Sequence, residues 1–293
     1  MRPNSSRRWL GRPPARVLAV ADLSQAVEIV VRTDPGRVRP HNEDSISASA
    51  ACGFAVVADG MGGYNAGEVA SGMATSLLGE ELEKIYAERE ATGRRTGRRL
   101  WDHDVLDLEI ARVNDIIYET ALTQPQCAGM GTTLVLAVLH DNQMTIAHLG
   151  DSRLYRLRGD EFRQITRDHS LLQEQIDSGV LTPEQAQLSR NKNLVTRALG
   201  VDPAVVPEIR DYDVQIGDVY LLCSDGLPDM VEDEDIAMTL SSLAADLETC
   251  AGRLVDMANE AGGRDNISVV LIRIRQAFPA ARSWWQRLLA WFK

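Results

Sequence analysis

Six carboxylates stand where an apolar run starts or stops. Asp59 closes FAVVA and is followed by Gly60, while Asp225 follows VYLLCS and is followed by Gly226. Asp151 follows TIAHLG, Asp265 comes just before NISVVLIRI, and the pair Glu43 and Asp44 precedes SISASA. A rigid sheet can hold such strand-end acids at one rim. Gathered there they repel, since two like charges about 4 Å apart cost on the order of 4 kcal/mol at an effective dielectric near 20. Cations remove that cost, and oxygen ligands with no histidine or cysteine beside them favour magnesium or manganese over zinc. Glycine after Asp59 lets its own carbonyl oxygen approach an ion. Taken alone, Asp59-Gly60 also reads as a hairpin turn, because both residues tolerate left-handed backbone. A phosphate cradle at the start of a helix is a third use of glycine-rich turns, but neither GxxxxGK[ST] nor GxGxxG occurs here.

Bringing these acids together requires sheets whose ends coincide. From Val27 the pattern is one of alternation, VEIVVRT and then SISASAACGFAVVAD broken by a turn, as expected of strands. The stretch NAGEVASGMATSLLGEELEKIYAERE predicts a helix with Val69, Met73, Leu77 and Leu78 on its apolar face, and VLDLEIARVNDIIYETAL predicts a second. The loop between them carries Arg94, Arg95, Arg98 and Arg99, read as solvated. Between Gly131 and Thr166 alternation returns, predicting three or four strands with tight turns at Asp141-Asn142, Asp151-Ser152 and Gly159-Asp160. Arg167 to Val206 is less regular, with a short helix after Asp168 and a mobile segment around Leu181 to Asn193. DVYLLCS and NISVVLIRI then flank a helical pattern from Glu232 to Ala261. Antiparallel runs with helices in separate blocks exclude a doubly wound parallel sheet.

The chain has 293 residues, and 31 basic minus 42 acidic residues gives a net charge of −11. That balance argues against nucleic-acid binding by the whole chain. Cys52, Cys127, Cys223 and Cys250 are scattered without zinc-ligand spacing, which fits reduced, mostly buried thiols in a cytoplasmic protein. Residues 1–24 are basic and proline-rich and read as a disordered leader, with an apolar patch too short for a secretory signal. No run approaches the roughly 20 apolar residues of a spanning helix. At the other end, 276–293 contains Trp284, Leu288 and Trp291 at helical spacing among Arg282, Arg287 and Lys293. Docking on its own domain, an interfacial membrane contact and a partner-binding helix all fit that pattern.

The ordered blocks RVRPHNED, ADGMGG, MGTT, GDSRLY, DHS, NLVTRALG, CSDGL and GGRDNISVV resemble the metal-dependent protein phosphatase family, type 2C, in its bacterial form. They span Val27 to Ile274 in family order, so 25–275 is expected to be the phosphatase domain. The resemblance implies an α+β fold, a β-sandwich of two antiparallel sheets flanked by α-helices on both sides. It implies a serine/threonine phosphatase acting on phosphoproteins, opposing a protein kinase, with two magnesium or manganese ions and room for a third, weaker one. Carried over by position, Asp59 would bridge two ions, Gly60 would offer its carbonyl to one, and Asp225 and Asp265 would complete the other. Glu43 and Asp44 would support them through ordered water, Arg39 would grip the substrate phosphate, and Asp151 would help hold the third ion. Paired ions acidify the water between them and offset the charge of a dianionic substrate.

Met61 stands where several family members carry a histidine proposed as general acid. His169 and Asp168 are read as fixing a turn by hydrogen bonds, His41 as a surface residue, and His148 as a satisfied sheet residue. The stretch LTPEQAQLSRNKNLVTRALG resembles the flap beside the family active site, but QLSRNKN departs from the common form. Two other functions compete: a scaffold that has lost catalysis, and a phosphatase of small molecules. Retention of Asp59, Asp225 and Asp265 together speaks against the scaffold.

Overall fold

The computed structural model describes residues 22–63, 66–92, 103–182, 185 and 194–278. The arginine loop at 94–99, nearly all of the segment expected to be mobile, and the tail from 279 onward lie outside them. Two antiparallel sheets carry the fold. One has the order β1 (Val27–Asp34), β11 (Ile267–Ile274), β10 (Val219–Cys223), β7 (Arg153–Arg158), β8 (Glu161–Gln164). The other runs β2 (Asp44–Ser49), β3 (Phe54–Met61), β5 (Leu134–His140), β6 (Gln143–Leu149), β9 (Glu208–Asp213), with the short β4 (Gly131–Thr132) pairing with the end of β3.

Helices α1 (Ala66–Thr92) and α2 (His103–Thr123) cover the second sheet. The short α3 (Leu171–Asp177) follows β8, and the first sheet is covered by α4 (Asp233–Leu243) and α5 (Leu247–Glu260). The expected four layers are therefore present. Alternation along β3 and β5 is weaker than a half-exposed strand would show, because every residue of Leu134–His140 is buried. A strand inside a sandwich has no wet face. Phe54, Val56 and Ala58 pack against α1 and α2, while Ala55 and Val57 meet Tyr220, Leu222, Val270 and Ile272 of the other sheet.

Three differences from the sequence reading have local causes. The buried face of α1 is Ala66, Ala70, Ala74, Leu78 and Leu82, whereas Val69 is 38% exposed and Met73 and Leu77 are only partly buried. Small side chains every four residues let this helix lie close to β2, where Ser45 and Thr75 share a 2.7 Å hydroxyl hydrogen bond. Next, Asp141-Asn142 is a hairpin turn with both residues at positive φ, as a tight turn demands, but Asp151-Ser152 is not. It carries the chain from β6 in one sheet to β7 in the other, and so leaves Asp151 at the sandwich rim. Finally, the pattern from Glu232 to Ala261 is two helices; Asp246 accepts the Thr249 N–H at 3.2 Å and starts the second.

The packed structure reaches slightly into both expected flanks. Leu23–Gln25 form a short 3-10 turn with Leu23 buried between the sheets, and Phe278 packs there as well. The four cysteines are free, and all but Cys52 are buried. Among the described residues no helix is long and apolar enough to cross a membrane.

Candidate metal centre

Strand register explains how acids distant in sequence meet. Asp44 begins β2 directly opposite Asp59 near the end of β3. In the other sheet β10 and β11 run side by side, Cys223 opposite Val269, so Asp225 just after β10 and Asp265 just before β11 share one edge. The two edges join through Ser224, whose hydroxyl donates to Asp44 Oδ2 at 2.7 Å and accepts the Ser268 N–H at 3.0 Å.

The backbone around Asp59 is held on both sides. Its N–H donates to Thr133 Oγ1 at 3.0 Å, and its carbonyl accepts from Thr132 Oγ1 and from the Thr133 N–H, both at 2.9 Å. Thr133 also meets the Ser152 hydroxyl at 2.7 Å, which ties the Asp151 turn to the same strand end. Glu43 receives the Gly60 N–H at 3.0 Å and the Ser71 hydroxyl at 2.6 Å on its carbonyl, and gives its own N–H to Asn266 Oδ1 at 2.7 Å. Asn266 in turn donates to the carbonyls of Pro35 and His41.

Gly60 has a packing role that its sequence context did not reveal. A Cβ there would land on the Gly67 carbonyl oxygen and lie 2.6 Å from the Glu43 carbonyl. The first turn of α1 thus presses on the end of β3. Gly226 is confined likewise against the Asn266 carbonyl.

The electrostatics are those of a crowded anionic pocket. Burial, then Asp44, Asp225, Asp151 and Asp265, push Asp59 well above the ordinary carboxylate range. Asp225 is raised by burial and by Asp151, Asp229, Asp265 and Asp44. Burial carries Asp44 and Asp151 each up to about 6, with Asp265 adding to the first and Asp168 to the second, and Glu43 is also raised by burial. Asp44 is 9% exposed, yet its Oδ1 has no hydrogen-bond partner. Arg39 is the nearby cation, donating to Asp265 Oδ2 at 2.6 Å from a half-exposed position. Carboxylates that raise one another, one with an orphaned buried oxygen and no sulfur or imidazole among them, fit hard divalent ions.

The structure thus gathers Glu43, Asp44, Asp59, Gly60, Asp151, Asp225 and Asp265, with Arg39 at the edge. His41 is exposed. His169 stays outside, and its N–H and Nδ1 clasp Gly150, donating to the carbonyl at 2.9 Å and accepting the N–H at 3.3 Å. Asp168 is gripped by Arg153 through both carboxylate oxygens. His148, His169 and Glu208 have donor atoms within 4.8 Å of one another, but the two rings stack 4.6 Å apart and 16° from parallel. Lone pairs in nearly parallel planes cannot both aim at one ion between them. Sequence reasoning missed Ser224, Asn266 and Thr133 as the residues that position the acids. Their signal was position: Thr133 lies in MGTT, Ser224 in CSDGL and Asn266 in GGRDNISVV, the last two each beside a predicted ligand.

The sequence matches the protein phosphatase 2C family over residues 38–262. It is 40% identical over 246 residues to the serine/threonine phosphatase stp of Listeria innocua, covering 82% of this chain and 93% of that protein. It is 35% identical over 261 residues to the protein phosphatase PhpP of Streptococcus pneumoniae, covering 85% and 98%. The fold is similar to the crystal structure of the Mycobacterium tuberculosis serine/threonine phosphatase PstP/Ppp, with a TM-score of 0.76 and 36% identity over 86% of this chain and 100% of that one. A PstP catalytic domain in complex with two manganese ions matches with a TM-score of 0.74 at 36% identity, covering 86% of this chain and 99% of that one.

Proposed function

Because the chain belongs to the protein phosphatase 2C family of serine/threonine phosphatases, we propose that Asp59, Gly60, Asp225 and Asp265, backed by Glu43 and Asp44, hold two divalent cations at this rim. Manganese and magnesium both suit the oxygen donors, and Asp151 would help hold a third, weaker ion. The observation that carries the reading is the meeting of Asp44 and Asp59 across β2 and β3, with one Asp44 oxygen buried and unpartnered. When bound, such ions supply an acidified water in line with phosphorus and offset the charge of the phosphate.

The remaining work belongs to side chains of this chain. Arg39 reaches Asp265 through one terminal nitrogen, so its other donors can take two phosphate oxygens in a fork and orient the ester. Ser224 and Asn266 keep Asp44 and the Glu43 backbone in place, so the pocket does not have to reorganise as charge develops. Met61, in the position after Asp59-Gly60, has no proton to give, and the leaving serine or threonine oxygen takes one from solvent in the pocket.

The substrates are phosphoproteins, and a serine/threonine kinase that installs the phosphate is the counterpart, both acting in the cytoplasm. The tail at 276–293 is read as a surface for weak membrane or protein contact. Turnover of a phosphothreonine peptide and of a sugar phosphate should be compared with manganese and again after chelation. We expect peptide hydrolysis with manganese alone; equal rates on both substrates would instead favour a small-molecule phosphatase, and no rate on either would favour a scaffold.

A further inference from the structure

In a chain of net charge −11, most described arginines are neutralised by acids, such as Arg158 by Asp218, Arg210 by Glu208 and Arg253 by Glu260. Arg37 and Arg264 are not. Both are exposed, and neither side chain has an ion-pair or hydrogen-bond partner among the described residues. Arg163 and Arg197 share that isolation, but Arg163 lies on the edge strand β8 and Arg197 in the segment after α3.

Arg37 and Arg264 differ in where the fold puts them. The N–H groups of Arg37 and Val38 donate to the Gly263 carbonyl at 2.7 and 3.2 Å. Gly36, at φ 79°, is pressed against the Asp265 carbonyl, where a Cβ could not fit. Two residues beyond Arg37, Arg39 binds Asp265. The two loops are therefore locked together, one carrying Arg37 and Arg39, the other Arg264 and Asp265. Two exposed arginines without a counter-ion among the described residues therefore stand on the same pair of loops as Arg39 and Asp265.

We propose that Arg37 and Arg264 form a cationic rim that recognises a second oxyanion on the phosphoprotein, next to the phosphoresidue being hydrolysed; this rests on the site reading above. An acidic chain repels an acidic substrate at long range, and a local cationic rim offsets that repulsion. An extended peptide places its next same-face side chain about 7 Å from the phosphorylated one, within reach of an arginine flanking the pocket. The second group can be a carboxylate or another phosphate, since a guanidinium fork takes either.

The test uses the full manganese-loaded chain and three phosphothreonine peptides that differ only at the position two residues from the phosphothreonine: alanine, aspartate, or a non-hydrolysable phosphoserine analogue. We expect wild-type kcat/KM to favour the charged peptides by about three- to tenfold, the size of two exposed ion pairs, mainly through KM. Arg37→Ala with Arg264→Ala should bring the ratio near unity and leave the alanine peptide unchanged, and Arg37→Glu with Arg264→Glu should invert it. Preference for the phosphoserine analogue alone would assign the rim to phosphate; preference for both charged peptides would assign it to oxyanions in general. An identical ratio in wild type and variants would overturn the proposal. Failure of wild type on the alanine peptide would overturn the site reading itself, a separate result.

Discussion

On one side of the turn at Gly150 and Asp151 lie two imidazoles, and on the other a group of carboxylates. His148 and His169 are both buried; burial lowers His148, and burial together with His148 and Arg197 lowers His169 to about 4. They are neutral at physiological pH, stacked on each other, with His148 Nε2 donating to the Arg167 carbonyl at 2.9 Å. Asp44 and Asp151 are raised only to about 6, so they remain largely charged at pH 7. An imidazole discards its charge at neutral pH at small cost, whereas a carboxylate, whose ordinary range lies far below neutrality, does so only at a larger one. The histidine pair is complete within the protein, and the carboxylate pocket calls for a cation from outside.

Removing a charge from the pocket should have the largest effect. Asp59→Asn is expected to lower kcat/KM by about a thousandfold, several kcal/mol of transition-state stabilisation. The metal-free variant should melt above the metal-free parent, because a repelling charge is gone. Parental turnover at saturating manganese would contradict the role given to Asp59. Gly60→Ala should destabilise by about 3 kcal/mol, since its Cβ would meet the backbone of α1, and an unchanged melting temperature would show that α1 can move aside.

Dependence on pH sharpens the contrast further. Burial lets folded Asp44 keep its proton to about 6, against 3.8 for an ordinary aspartate. Between those values the folded state binds more protons than the unfolded one, so its stability falls as pH rises through that window. The advantage of Asp44→Asn over the parent, both without metal, should therefore grow from pH 4 to pH 7 and then level off. A melting-temperature difference that shrinks over this range would refute the repulsion. His169→Ala comes last. It takes from the Gly150 N–H its acceptor, at about 1 to 3 kcal/mol of stability, and should leave kcat/KM within about tenfold at saturating manganese. A thousandfold loss would place His169 in the chemistry.

Much of the candidate site was legible because its acids sit at the ends of apolar runs, a local pattern that survives without neighbours. Ser224 and Asn266 were not. A serine or asparagine next to an acid is common, and only the pairing of β10 with β11 and the approach of β2 give these two their partners. The face of α1 was misread for a similar reason. Hydropathy ranks Val69 and Leu77 above Ala70 and Ala74, but small residues govern how close a helix can lie to a sheet, and closeness matters where Gly67 meets Gly60.

The amino-acid order by itself determined the strands, the helix blocks and the acidic strand ends, because burial periodicity and turn chemistry act over a few residues. Only the tertiary structure decided that Asp151-Ser152 passes between sheets instead of closing a hairpin, and that the loops carrying Arg37 and Arg264 lock together. The same short polar turn serves either topology. Which one forms depends on the sheet waiting to receive the next strand, and that free energy lies in contacts far apart along the chain.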